Sequence, residues 1–162
     1  MQFRIEKKES FQIMGLSGYD SAEKEGSLTP LWNKFMKEYD PKLWNNGRPS
    51  YYTEPFYQVS AYFCTPGSDK VKTIIGAEYK EAKPEGIMLS VETIPAATWA
   101  VFSFYGQTGY DKYDEAYTRI LTEWLPASQY RRDETAPNLD VYPSGEINEN
   151  YTWEIWVPVL RK

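Results

Sequence analysis

The sequence predicts an α+β domain in which a β-α-β-β unit occurs twice, because three features of the 162-residue chain agree. Two segments carry the three- and four-residue spacing of apolar residues that is typical of amphipathic helices. The other segments are rich in β-branched and aromatic residues, as strands are. The order strand, helix, strand, strand occurs once before Lys83–Gly86 and again after it. A chain of this length can bury a core as one domain.

Two helices are predicted from this spacing. The first covers about 29–39. Thr29 can cap its N-terminus and Pro30 can occupy its first position, and the apolar residues that follow are Leu31, Trp32, Phe35, Met36 and Tyr39. The second covers about 110–125. Its repeating residues are Tyr113, Ala116, Tyr117, Ile120, Leu121 and Trp124, and Pro126 follows its end. We expect the aromatic residues of both helices to pack against a sheet.

The remaining sequence predicts strands near 2–8, 10–17, 55–64, 71–80, 87–93, 97–105, 138–142 and 151–160. Segments rich in proline, glycine and serine separate them. We expect two repeats, about 1–82 and about 87–162, to join edge to edge into one antiparallel sheet with both helices on one face. A ligand groove then lies between the repeats, within a single domain of residues 1–162.

One carboxylate interrupts the apolar and aromatic residues of the last predicted strand. Side chains alternate along a strand, so Glu154 and Trp156 share a face, while Trp153, Ile155, Val157 and Val159 face the core. Burial of an unpaired carboxylate costs several kcal/mol. An organic cation would satisfy Glu154, and the Trp156 ring would add roughly 0.5–2 kcal/mol of cation–π attraction. Water, or a lysine or arginine of the chain itself, would satisfy it equally, and the pattern leaves these alternatives open.

Composition excludes several classes of function. The formal net charge of −5 argues against a nucleic-acid surface, which requires a clustered basic excess. No apolar run approaches the length of a signal peptide or a membrane span, so we expect a cytoplasmic protein without a membrane partner. The chain has no histidine and one cysteine, Cys64. We therefore predict no metal, no cofactor and no catalytic residue of the usual nucleophile pairs.

Four segments resemble the GyrI-like small-molecule-binding domain, which is also the effector-binding domain of some AraC-type and MerR-type transcription regulators. They are Gln12–Leu16, Thr98–Phe102, Trp124–Pro126 and Glu154–Val159. The resemblance spans nearly the whole chain, and the last two segments together are its most specific part. It implies a duplicated β-α-β-β fold, a pocket between the repeats, and a strand glutamate that meets the positive charge of a lipophilic cation. Glu154 matches that position.

The resemblance also suggests further pocket residues. It places Trp99 on the pocket face, with Val101 and Ser103, and Tyr62 on another pocket strand, with Ser60 and Gln58. Either aromatic residue can instead be core, since a one-residue error in register turns a side chain to the other face. The predicted function is binding of an amphipathic, cationic small molecule, with Glu154 as counter-ion and Trp156, Trp99 and Tyr62 as aromatic walls.

Other functions stay open. Because the domain begins at Met1, we expect no helix-turn-helix module and no direct DNA binding, although a stand-alone domain can act with a separate protein partner. Some GyrI-like proteins resemble hydrolases of reactive xenobiotics, and Glu154 in an aromatic pocket would have a raised pKa suited to acid or base work. An interaction module of the gyrase-inhibitor type is a further alternative. A tetrapyrrole-binding protein of the related SOUL type is disfavoured because histidine is absent.

Overall fold

The computed structural model of the chain describes residues 2–21, 29–39, 44–45, 48–49, 58–64, 70–79, 89–106, 110–143 and 148–162. Its strands are β1 (Phe3–Lys8), β2 (Phe11–Ser21), β3 (Trp44–Asn45), β4 (Arg48–Pro49), β5 (Gln58–Cys64), β6 (Lys70–Tyr79), β7 (Ser90–Ile94), β8 (Ala97–Tyr105), β9 (Tyr130–Arg132), β10 (Asn138–Tyr142) and β11 (Thr152–Arg161).

Both predicted helices are present. Helix α1 (Thr29–Lys34) continues as a π-helical turn, Phe35–Tyr39. Helix α2 (Tyr110–Arg119) continues as a second π-helical turn, Ile120–Trp124, before a last turn, Leu125–Ala127. None of these helices is both long and apolar enough to cross a bilayer.

The predicted fold class, an α+β domain built on an antiparallel sheet with two helices, is confirmed. Strands β3, β4 and β9 were not predicted, because each has only two or three residues. Residues 55–57, 80 and 87–88 of the predicted strands lie outside the described residues. The predicted repeat boundaries stay a prediction.

The sheet is antiparallel in the order β1-β8-β11-β10-β5-β6-β2-β7, and β9 pairs with the end of β11. The two halves meet where β10 pairs with β5. Strands β1 and β7 each cross to the other half, since β1 pairs with β8 and β7 pairs with β2. Only Glu9 and Ser10 connect β1 to β2, and only Pro95 and Ala96 connect β7 to β8. Because these short connections join strands far apart in the order, the sheet must curl.

The curled sheet has two faces, which we call the helix face and the inner face. On the helix face, α1 and its π-helical turn cover Met14, Ile75 and Ala77, while α2 covers a second cluster that includes Phe102, Trp153 and Ile155. The inner face buries its own cluster, which consists of Phe11, Ile13, Val59, Ala61, Ile74, Ile94, Trp99, Val101, Ala136, Leu139, Val141 and Trp156. Contact between the Phe11 and Trp99 rings, whose centroids are 6.4 Å apart, joins the two halves across this inner core.

Two glycines allow the close pairing of β2 with β6. Gly15 and Gly76 are register partners, and a Cβ on Gly15 would lie 2.0 Å from the carbonyl oxygen of Ile75. A Cβ on Gly76 would lie 1.9 Å from the carbonyl oxygen of Met14. No side chain fits at such distances, so both positions require glycine.

Candidate functional site

Glu154 shares the inner face with Trp156, and both of its carboxylate oxygens accept hydrogen bonds. Arg4 donates from Nη1 to Oε1 at 2.6 Å and from Nη2 to Oε2 at 3.1 Å. The indole of Trp156 donates to Oε2 at 2.9 Å, and the hydroxyl of Ser103 donates to Oε1 at 3.3 Å. The Arg4 guanidinium also lies 5.7 Å from the centroid of the Trp156 ring. The cation that the Glu154–Trp156 pair predicts is thus present, and it belongs to the chain itself.

Strand β1 brings Arg4 to this position. Its register partner on β8 is Val101, and Val101 in turn faces Trp156 on β11. Hydrogen bonding to Glu154 is the largest of the effects that raise the pKa of Arg4. The Arg4 side chain is nevertheless 47% exposed, so it borders on solvent. Among the alternatives that the sequence left open, the structure selects an arginine of the same chain; a ligand role for Glu154 stays a prediction.

The two predicted indole walls, Trp99 and Trp156, also lie on the inner face. Their rings are in contact, edge to face, with centroids 6.1 Å apart. Both side chains belong to the inner core and are buried. Side chains of neighbouring strands therefore already occupy the contacts that a ligand would need.

Tyr62 lies on the other face, so the structure does not bring it together with Trp99 and Trp156. Its neighbour Ala61 belongs to the inner core, and successive side chains of a strand point to opposite faces. The Tyr62 hydroxyl donates to Oδ2 of Asp140 at 2.6 Å. Tyr62 and Trp99 therefore lie on different faces, as happens when the alternation of a strand is read one position off. A ligand-binding role for Tyr62 stays a prediction.

Asp140 is a buried carboxyl group on the helix face and is not among the predicted site residues. It lies on β10 at the seam between the two halves, opposite Ser60 of β5, and is 3% exposed. Tyr62 donates to one carboxyl oxygen, and Tyr117 of α2 donates to the other at 2.7 Å. Burial raises the pKa of Asp140 to about 6, although the two phenol hydrogen bonds lower it. In the described part of the chain, no lysine or arginine forms an ion pair with Asp140.

The phenols around Asp140 are held in their neutral form. Burial raises the pKa values of Tyr62, Tyr117 and Tyr142 well above the usual range, and the charge of Asp140 raises them further. Neutral phenols can donate hydrogen bonds but cannot neutralise a carboxylate. Above the pKa of Asp140, the seam therefore holds a buried negative charge in an aromatic environment.

Aromatic side chains from both helices converge on β10 beside this carboxyl group. The Trp32 ring of α1 contacts Tyr142 edge to face, with centroids 5.6 Å apart. The Tyr113 ring of α2 contacts Tyr142 at 6.2 Å. We call the whole set the seam site; it consists of Asp140, Tyr62, Tyr117, Tyr142, Tyr113 and Trp32. Because its residues come from both halves of the sheet and from both helices, it lies where the two halves meet.

Two buried polar atoms on the strands that flank Tyr62 have no hydrogen-bond partner among the described residues. They are the hydroxyl oxygen of Thr73 and the amide oxygen of Asn138. Both residues are register partners of Tyr62, one on each side, and both are buried. Buried polar atoms are nearly always hydrogen-bonded in folded proteins, so these two atoms are available to bond a ligand group or water.

The sequence did contain a signal for Asp140. The run Leu139-Asp140-Val141 places an acid between apolar residues of a predicted strand, which is the pattern that singled out Glu154. Metal binding has no comparable signal, since no group of three acidic or cysteine side chains within the described ranges could hold a metal ion.

Comparison with known families decides the identity of the fold. The model of the GyrI-like small molecule binding domain matches residues 1–160. The chain belongs to the GyrI-like family. A comparison of this GyrI-like chain with curated protein sequences gave no match.

Solved structures show the same fold. SAV2435, whose structure was determined bound to tetraphenylphosphonium, is 18% identical, with a TM-score of 0.73 over 99% of this chain and 94% of its own. An integron cassette protein from the mobile metagenome of Vibrio cholerae is 16% identical, with a TM-score of 0.70 over 98% of this chain and 95% of its own. The C-terminal domain of EcmrR is 19% identical, with a TM-score of 0.67 over 99% of this chain and 98% of its own.

Proposed function

We propose that this GyrI-like domain binds an amphipathic organic cation at the seam site, with Asp140 as the counter-ion. The observation that carries the proposal is a buried carboxyl group whose hydrogen-bond partners among the described residues are two phenols, with no lysine or arginine. Above pH 6 this group is a charge in an apolar setting, and such a charge is costly unless it is paired. A ligand cation would supply the missing partner.

The aromatic residues of the seam site suit the other part of such a ligand. Faces of Trp32, Tyr113 and Tyr142 would contact apolar groups, and a cation near a ring face gains roughly 0.5–2 kcal/mol. The phenols of Tyr62 and Tyr117 hold the carboxylate in place through both of its oxygens. Ligand affinity would then depend on charge through Asp140 and on aromatic area through the walls.

Two comparisons support this proposal. SAV2435 has the same fold and binds tetraphenylphosphonium, a lipophilic cation with four aromatic rings. A complex of EcmrR with DNA contains the same fold, and this chain covers 58% of that protein. We infer that the domain acts as an effector-binding unit related to transcription regulators. A separate protein partner and a cytoplasmic location stay predictions.

Glu154 is the second candidate for the counter-ion. A ligand there would have to displace Arg4, whose side chain can move into solvent because it is half exposed. The bidentate contact with Arg4 and the burial of Trp99 and Trp156 favour Asp140 over Glu154.

Titration calorimetry with tetraphenylphosphonium would separate the two carboxylates. Asp140→Asn is expected to weaken binding at pH 8 by about tenfold or more, because the buried charge is lost while the amide oxygen can still accept a hydrogen bond from one of the two phenols. Glu154→Gln is expected to leave the affinity nearly unchanged. Neutral triphenylphosphine oxide serves as the matched probe, and its binding should respond to neither substitution.

The opposite pattern, loss in Glu154→Gln alone, would assign the counter-ion to Glu154. Equal affinities in the wild type and both variants, each of which melts cooperatively, would contradict a carboxylate counter-ion altogether. Absence of binding by the wild-type protein would contradict recognition of this class of cation.

A further inference from the structure

We propose that β1 forms a twofold interface with β1 of a second copy of this chain, which extends the sheet across both molecules. Strand β1 stands at one end of the sheet order, and among the described residues it pairs with β8 alone. An edge strand of this kind presents unpaired backbone groups to solvent, and it is a template for a further strand. Which residues present them, and in which register, follows from the neighbouring strands.

The open side of β1 can be derived from Pro158. The backbone N–H of Asp133 donates to the carbonyl oxygen of Pro158 at 2.9 Å. On the other side of β11, the register partner of Pro158 is Trp99 of β8. Pro158 therefore turns its backbone groups away from β8, and those of Trp99 point to β1. In an antiparallel ladder the direction alternates along the strand. The backbone N–H and C=O of Glu6, the register partner of Trp99, must then point to β8. This leaves the backbone groups of Phe3, Ile5 and Lys7 on the open edge.

Charge then selects one register. Hydrogen bonds between two copies of β1 require that residues whose backbone groups point to the open edge lie opposite each other. The twofold axis therefore passes through position 4, 5 or 6. An axis at position 4 opposes two Arg4 side chains, and an axis at position 6 opposes two Glu6 side chains. Both arrangements place like charges directly opposite, which is destabilising. Only an axis at Ile5 opposes Arg4 to Glu6 of the second copy, and it does so twice.

Apolar groups support the same register. Phe3 is 45% exposed and Ile5 is 39% exposed, although both are large apolar residues of a strand. With the axis at Ile5, the two Ile5 side chains meet, and each Phe3 lies opposite Lys7 of the other copy. Edge strands are often protected by charges that would repel a second copy. Here the sequence Phe3-Arg4-Ile5-Glu6-Lys7 is complementary to itself, so the charges favour pairing in one register.

Sedimentation of the full chain across a wide concentration range, up to its solubility limit, tests the interface. The wild type is expected to show reversible dimerisation. Glu6→Arg should raise the dimer dissociation constant by about tenfold or more, because two arginines then oppose each other twice. Glu115→Arg, the same charge change at an exposed position of α2, should leave it unchanged.

Ile5→Pro is an independent second variant. Proline removes the outward N–H at the axis and is tolerated on an edge strand whose N–H faces solvent, so a cooperatively melting monomer is expected. A wild type that stays monomeric at every concentration would overturn the proposal. A dimer that survives Glu6→Arg or Ile5→Pro unchanged would overturn it as well, since the contact between copies would lie elsewhere.

Discussion

Asp140→Asn is expected to stabilise the protein by about 3 kcal/mol at pH 8 and by little at pH 3.5. The folded pKa of Asp140 is about 6, whereas an unfolded aspartate titrates near 3.9, and each pKa unit corresponds to 1.36 kcal/mol. The buried carboxylate therefore opposes folding wherever it is ionised. Asparagine has no charge to desolvate, and its amide oxygen can still accept a hydrogen bond from Tyr62 or Tyr117.

The pH window follows from the direction of this shift. Between the unfolded and the folded pKa, the native state binds more protons than the unfolded state, so the contribution of Asp140 to stability falls as pH rises from about 4 to about 6. Below that range both states are protonated, and above it the full cost is present. The difference between variant and wild type should therefore grow across this range and stay constant above it.

Urea denaturation of both proteins at a series of pH values would measure this difference. Asp114→Asn is the matched control, because it removes one negative charge from an exposed position; its stability difference should stay within about 0.5 kcal/mol at every pH. A pH-independent difference between Asp140→Asn and the wild type would show that the carboxyl group is not desolvated as the structure indicates. The expected result would mean that the protein retains a destabilising acid, which is typical of functional sites.

Trp99→Ala is expected to lower the free energy of unfolding by about 3–5 kcal/mol, the range for removal of a large aromatic side chain from a core. Trp99 is fully buried on the inner face and contacts the rings of Phe11 and Trp156. The contact with Phe11 joins the two halves of the sheet across the inner core, and loss of the indole leaves a cavity that the sheet cannot easily close. Chemical denaturation would measure the effect.

Tyr105→Ala is the control on the same strand, β8. Tyr105 is 65% exposed, so its removal should change stability by less than about 0.5 kcal/mol. The conservative variant Trp99→Phe distinguishes a role of Trp99 in the core from a role in a ligand pocket. If Trp99 serves the core, this variant loses part of the stability and keeps its affinity for tetraphenylphosphonium. A variant of unchanged stability but clearly reduced affinity would instead support the predicted role of Trp99 as an aromatic wall.

The sequence by itself determined the helices, most strands and the fold class, because helical and strand periodicities are local properties of the chain. It also indicated that a carboxylate within an apolar strand needs a partner. It did not indicate which carboxylate has a partner in the chain, because Arg4 and Glu154 are 150 residues apart and meet only through the crossing of β1 to β8.

Tertiary structure alone decided how the candidate site residues are arranged. Tyr62 turns to the helix face because of the register between β5 and β10, and a register cannot be read from either strand alone. Asp140 gains its raised pKa from burial between the sheet and α2, and its aromatic neighbours come from four separate segments. Burial and pairing depend on contacts between distant parts of the chain. The local pattern therefore identified acids that need a partner. The folded sheet determined that Arg4 pairs with Glu154, whereas the partners of Asp140 among the described residues are two phenols.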